Sequence, residues 1–183
     1  MLLKISTFLA LTMAWCLADE TTTARPRFLP EISLAGMPYR QIELAVTEAE
    51  LRRGLMDRTY LADDGGMLFF YGRPKLAAFW MKNTRIPLDV LFLDEQGTIL
   101  QVATMAVEPP QAPGESDEAY EARLKSYLCL RPATCALEIA AGRAAELGLA
   151  PGSRIPGLAL RVLLQNIMAI QGSEGNPPAY PNR

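Results

Sequence analysis

Between Phe79 and Asp89 the chain reads F-W-M-K-N-T-R-I-P-L-D. Four of these residues, Trp80, Lys82, Asn83 and Asp89, are types that meet polar ligands. They offer an indole face for stacking, an amide that donates and accepts, and two opposite charges. If Thr84 to Pro87 form a four-residue loop between two strands, symmetric pairing sets Lys82 opposite Asp89 and Trp80 opposite Leu91. Side chains alternate along a strand, so Trp80, Lys82, Asp89 and Leu91 would share one face. Phe79, Met81, Val90 and Phe92 would share the other, which is purely apolar and reads as core.

Two roles are open to Lys82 and Asp89. The plainer is a cross-strand ion pair on a solvated face, worth under ~1 kcal/mol. The other is a polar cluster at the mouth of a pocket, with Trp80 as a wall and Asn83 or Arg53 adding donors. Arg53 would otherwise be part of a solvated helix face, beside Arg52.

The chain has no histidine. Ser-His-Asp and Cys-His nucleophile systems are therefore excluded, as is a histidine general base. Neither common glycine-rich phosphate loop is present. An enzyme could still use Asp89 as acid or base, with Lys82 as its charge partner and Glu138 or Asp94 as a second carboxylate. No cofactor or metal is expected. Two thiolates without histidine do not close a zinc site.

The N-terminus points to export. Lys4 precedes an apolar run from Ile5 to Ala14, and Cys16-Leu17-Ala18 sets small residues at the minus-three and minus-one positions of a cut before Asp19. This is the layout of a signal peptide over residues 1–18, and a periplasmic or secreted location follows. The apolar run is shorter than the ~20 residues of a membrane-spanning helix. Losing Lys4 would leave 17 basic against 20 acidic residues, a net charge of −3. Nucleic acid and anionic lipid are poor partners for such a chain, and no later segment resembles a membrane span. In an oxidising compartment Cys129 and Cys135 would be expected to form a disulfide across C-L-R-P-A-T-C.

The elements that must position these residues can be read from periodicity and turn chemistry. Residues 19–38 look like a linker, ending in an edge strand around Phe28 to Leu34. Gln41 to Val46 alternates as a strand, and Thr47 with Glu50 forms a capping box for a helix to about Leu55. Strands follow at 67–71, 77–83, 88–94 and 98–107, with a Gly97 turn between the last two, and 66–107 reads as an antiparallel meander. A Pro-rich loop at 108–115 leads to Ser116, which can cap a helix over 117–126. A strand at 136–140 and a helix at 143–149 follow, then an apolar segment at 158–164. The tail over 169–183 is expected to be disordered. The whole suggests an α+β fold, mostly β: a single domain over 39–168, built as a small antiparallel, barrel-like curved sheet with two or three short helices.

The motifs Arg53-Gly54-Leu55-Met56, Gly66-Met67-Leu68-Phe69, Phe79 to Thr84, Ile86-Pro87-Leu88-Asp89 and Leu93-Asp94 resemble domain of unknown function 192. Leu137-Glu138, the run from Gly142 to Leu149, and Gly152 are similar to the closing part of that family. The resemblance spans roughly Ile42 to Ile155. It implies one compact, β-rich, barrel-like domain, often exported in bacteria and archaea, and carries no catalytic residue or cofactor. The insertion at 109–113 and the extension after Ile155 depart from its pattern.

The function these features favour is a non-catalytic binding module for a small or cell-envelope ligand. Carbohydrate is the class that suits Trp80, Lys82, Asn83 and Asp89 first. The alternatives are a protein-interaction or envelope-structural module using a strand edge or the Pro-rich loop, and an enzyme built on Asp89.

Overall fold

The computed structural model of the chain describes residues 26–172. The signal peptide expected at 1–18 and residues 173–183 of the expected disordered tail lie outside the described residues, whereas the first residues of that tail, 169–172, are helical. A hairpin of β1 (Ile32–Leu34) and β2 (Met37–Tyr39) leads into β3 (Gln41–Ala45). The helix α1 (Glu48–Arg53) connects β3 to the long strand β4 (Gly65–Lys75). The chain continues through β5 (Ala78–Phe79), β6 (Leu88–Leu93), β7 (Ile99–Met105), α2 (Asp117–Arg123), β8 (Tyr127–Leu128) and β9 (Ala133–Ala140). It ends with α3 (Arg143–Glu146), a 3-10 turn (Pro156–Leu158) and α4 (Leu160–Gly172).

The protein is mostly sheet with few helices. Five strands form one mixed sheet in the order β3-β4-β9-β6-β7. The parallel pair is β3–β4, joined through α1, and the others are antiparallel. The barrel expected from the sequence is not formed, because β3 and β7 remain edges. Other segments cover those edges instead. Leu29 N–H donates to the Ile42 carbonyl and Leu44 N–H to that of Arg27. At the far edge, Ile99 N–H donates to Ser153 O and Gly152 N–H to Ile99 O. Covered edges meet the same need as closure, since they leave fewer unpaired groups to template association.

The expected meander is also corrected. Only β6 and β7 form a hairpin within 66–107. Strand β9 inserts between β4 and β6, pairing Leu68 with Leu137 on one side and Leu91 with Leu137 on the other. The composition explains this. All six residues of β6 and seven of the eight in β9 are buried. Strands apolar on both faces belong at the centre of a covered sheet, whereas a solvated meander alternates.

Each face carries its own apolar layer. One contains Leu91, Leu93, Leu137 and Ile139, covered by Leu29, Ile32 and Leu34, the 3-10 turn and α4. The stretch from Leu29 to Leu34 is thus part of the packed domain and not a linker. The other layer contains Val90, Phe92, Ala136, Leu55, Met81 and Tyr127. Cys135 lies in the first layer and Cys129 in the second, and both are free thiols. The expected disulfide is therefore not formed, because the sheet separates the two sulfurs.

Candidate functional site

A cleft of about 150 Å³ opens on the second face, between α1 and the segment running from β4 into β5. One wall is the end of α1, with Arg52 and Arg53. The helix starts at a complete capping box: Thr47 Oγ1 accepts from Glu50 N–H, and Glu50 Oε2 accepts from Thr47 N–H. Arg27 Nη2 donates to both Glu50 oxygens, at 2.6 and 2.7 Å, which ties the helix start to the covered edge of β3. Gly54 ends the helix at φ +48°, and a Cβ there would lie 3.1 Å from the Phe69 ring. Only glycine combines that turn with that approach.

The opposite wall holds Lys75, Phe79 and Trp80. Phe79 stands edge-on to Phe69, with centroids 4.8 Å apart, and meets Phe92 at 5.6 Å. These contacts join the cleft wall to the core. Trp80 is 41% exposed, leaving part of its indole free. Lys75 Nζ sits 4.3 Å from the Tyr71 ring centroid at the rim.

The floor is Glu138, on central strand β9 and only 4% exposed. Its carboxyl makes no hydrogen bond or ion pair with any described residue. No sealed side-chain oxygen or nitrogen among the described residues lacks a partner, so the Glu138 oxygens must reach the cleft space. Burial pushes the Glu138 carboxyl up to about 8, which keeps most of it neutral at pH 7. Tyr71, beside it in the cleft, is also raised, by burial first and then by Cys135, Glu138 and Cys129.

The structure divides the residues singled out from the sequence. Trp80 and Arg53 line the cleft together. Lys82 and Asn83 instead face α2. Lys82 Nζ lies 2.5 Å from Glu121 Oε1, and this bond holds the lysine pKa above its ordinary value. Its ammonium is also 5.8 Å from the Trp80 ring centroid. Asn83 N–H donates to Tyr120 Oη at 3.2 Å, and that hydroxyl donates to Asn83 Oδ1 at 3.3 Å.

Asp89 is not opposite Lys82. It is 1% exposed in β6 and paired across the sheet with Thr104 and Ile139. Its Oδ1 accepts from Thr104 Oγ1 at 2.7 Å and its Oδ2 from Ala144 N–H at 3.0 Å. The predicted Lys82–Asp89 face fails because β5 ends at Phe79 and pairs with β8 instead of β6. The apolar face is as expected, with Phe79, Met81, Val90 and Phe92 packed together.

Comparison with known proteins adds kinship to this geometry. The model of the DUF192 family, described as an uncharacterised ACR, matches residues 32–157. The chain belongs to the DUF192 family. A Sinorhizobium meliloti protein named “putative transcription regulator” is similar at 34% identity over 68% of this chain and 87% of its own, with a TM-score of 0.52. A protein of unknown function from Novosphingobium aromaticivorans is similar at 33% identity over 73% and 93%, with a TM-score of 0.54. No curated protein matches the chain.

In this DUF192 chain, sequence reasoning misses the floor of the cleft and, apart from Arg53, its rim. Glu138 was weighed only as an auxiliary acid, and Tyr71 and Lys75 not at all. One signal was available: Glu138 is the single charged residue in the apolar run A-T-C-A-L-E-I-A. A lone charge inside a strand buried on both faces is costly without a purpose.

Proposed function

We propose that the chain is an exported, non-catalytic binding module that holds a small ligand in the cleft between α1 and the β4–β5 segment. The observation that carries this is Glu138, a buried carboxyl without a partner among the described residues, at the floor of an aromatic-walled cleft. Burying such a group is unfavourable unless something hydrogen-bonds to it. Room of about 150 Å³ suits a ligand about the size of a single small ring. Trp80 and Arg53 supply its wall and rim, while Lys82 lies beside the Trp80 ring and Asn83 is bound to Tyr120 of α2.

The enzyme built on Asp89 has less support. Both carboxylate oxygens of Asp89 are engaged, and it lies on the sheet face away from the cleft. Nucleic acid is disfavoured by the acidic charge balance, so the name of the Sinorhizobium meliloti protein does not alter this reading. A protein-docking role has one specific observation in its favour. Leu76, Trp80, Leu128 and Leu130 are exposed on or beside the β5–β8 ribbon.

The deciding experiment is a thermal-shift screen of envelope sugars, amino acids and small acids against the purified chain and Trp80→Ala. Stabilisation by one class that falls at least ~10-fold in apparent affinity in Trp80→Ala is the expected result. A chain that no class stabilises, but that crosslinks reproducibly to one protein through Leu130, would replace ligand binding by docking.

A further inference from the structure

The charges around the cleft specify more than a binding site. Among the described residues its one acid is Glu138 at the floor, and its cations, Arg52, Arg53 and Lys75, stand at the rim. Arg52 has a loose partner in Glu48 at 3.6 Å. Neither the Arg53 guanidinium nor the Lys75 ammonium pairs with an acid among the described residues. The cleft thus has an unanswered negative or hydrogen-bond-accepting group inside and two unanswered positive groups outside.

We propose that the cleft takes a small zwitterion, with its ammonium directed to Glu138 and its acid group directed to Arg53 and Lys75. This rests on the cleft being a binding site at all, as argued above. A ligand with only a positive charge would meet the cations of the rim and leave them unpaired. One with only a negative charge would satisfy the rim but could take at most the single proton of neutral Glu138, leaving the acceptor oxygen of that carboxyl without a donor. A neutral sugar would leave both charges of the rim unanswered. The walls also suit a cation at depth, because the rings of Phe69, Tyr71, Phe79 and Trp80 carry negative faces, unlike aliphatic linings. An ammonium beside Glu138 would favour its ionised form, making a charge pair in surroundings where water screens little.

The test is calorimetric titration of the full chain with unbranched amino acids from glycine to 6-aminohexanoate. Each is compared with the acid and the amine of the same chain length, and N-acetylglucosamine is titrated alongside. At least one amino acid is expected to bind ten-fold or more tightly than its matched acid and amine. Glu138→Gln should erase the advantage over the acid while keeping that over the amine. Arg53→Gln with Lys75→Gln should do the reverse. A merely structural Glu138 would weaken all ligands alike.

If acid, amine and amino acid bind equally, or if only N-acetylglucosamine binds and depends on Trp80, the zwitterion assignment is overturned while the cleft remains a binding site. If nothing binds, the binding function falls with it. Arg53 is exposed, so its variant keeps the test open should Glu138→Gln fail to fold.

Discussion

Glu138 is the residue on which the most physical consequences converge. Its carboxyl titrates near 4.5 when solvated and is pushed to about 8 by burial. Below about pH 4.5 both folded and unfolded chains hold it protonated, so it costs nothing there. As pH rises toward 8 the unfolded chain releases the proton and the folded chain keeps it. Folding stability should therefore decline across that window and level off above it, by an amount on the order of a few kcal/mol. The charged neighbours at this cleft, Arg52, Arg53 and Lys75, do not hold the group down. Denaturant melts of wild type and Glu138→Gln at pH 5 and pH 8 should show the slope in the first and its loss in the second. A parallel slope in both would place the titration elsewhere. Asp89 differs in its bonding, because both its oxygens have donors. Asp89→Ala should destabilise the fold by about 2 kcal/mol, since it strands the Ala144 N–H in the interior, whereas the exposed Thr104 hydroxyl turns to water. Equilibrium unfolding measures this directly.

The elements around the cleft are held by local chemistry that can be removed one piece at a time. Helix α1 has only six residues, too short to persist alone, so its caps and its tie to Arg27 set its position. Thr47→Ala should cost about 1 kcal/mol and loosen the cleft wall, seen as faster amide exchange over 48–54. The β6–β7 turn is less forgiving. Gly97 has φ +75°, and a Cβ there would lie 2.4 Å from the Ile155 carbonyl oxygen. Gly97→Ala combines left-handed strain with a backbone clash and should cost roughly 2–4 kcal/mol in a chemical melt. A cost under ~1 kcal/mol would mean that the segment before the 3-10 turn yields easily.

Across the whole molecule, a sheet with a layer on each face decides which groups can meet. It holds Cys135 and Cys129 in different layers, and burial raises the Cys135 thiol to about 12. Both thiols should resist alkylation in the folded chain and react after unfolding, as peptide mass mapping would show. A Cys129–Cys135 linked peptide from native protein would contradict the two-layer arrangement.

Local features were legible because their causes are local. The Thr47–Glu50 capping box, the Ser116 cap, the Asp94 to Gly97 turn and the apolar set Phe79, Met81, Val90 and Phe92 follow from neighbours a few residues apart. The motif string likewise carried the family. Strand order was not legible, because insertion of β9 between β4 and β6 depends on contacts about forty to seventy residues apart, and several pairings satisfy the same alternation. The same cause misplaced the site. Lys82 and Asp89 are close in the chain, but β5 pairs with β8 and sends Lys82 to Glu121, while Asp89 turns inward to Ala144. The residue types needed for a ligand were written in the chain. Which of them face one cleft was decided only when β9 carried Glu138 beneath α1, because long-range pairing sets the face on which each side chain emerges.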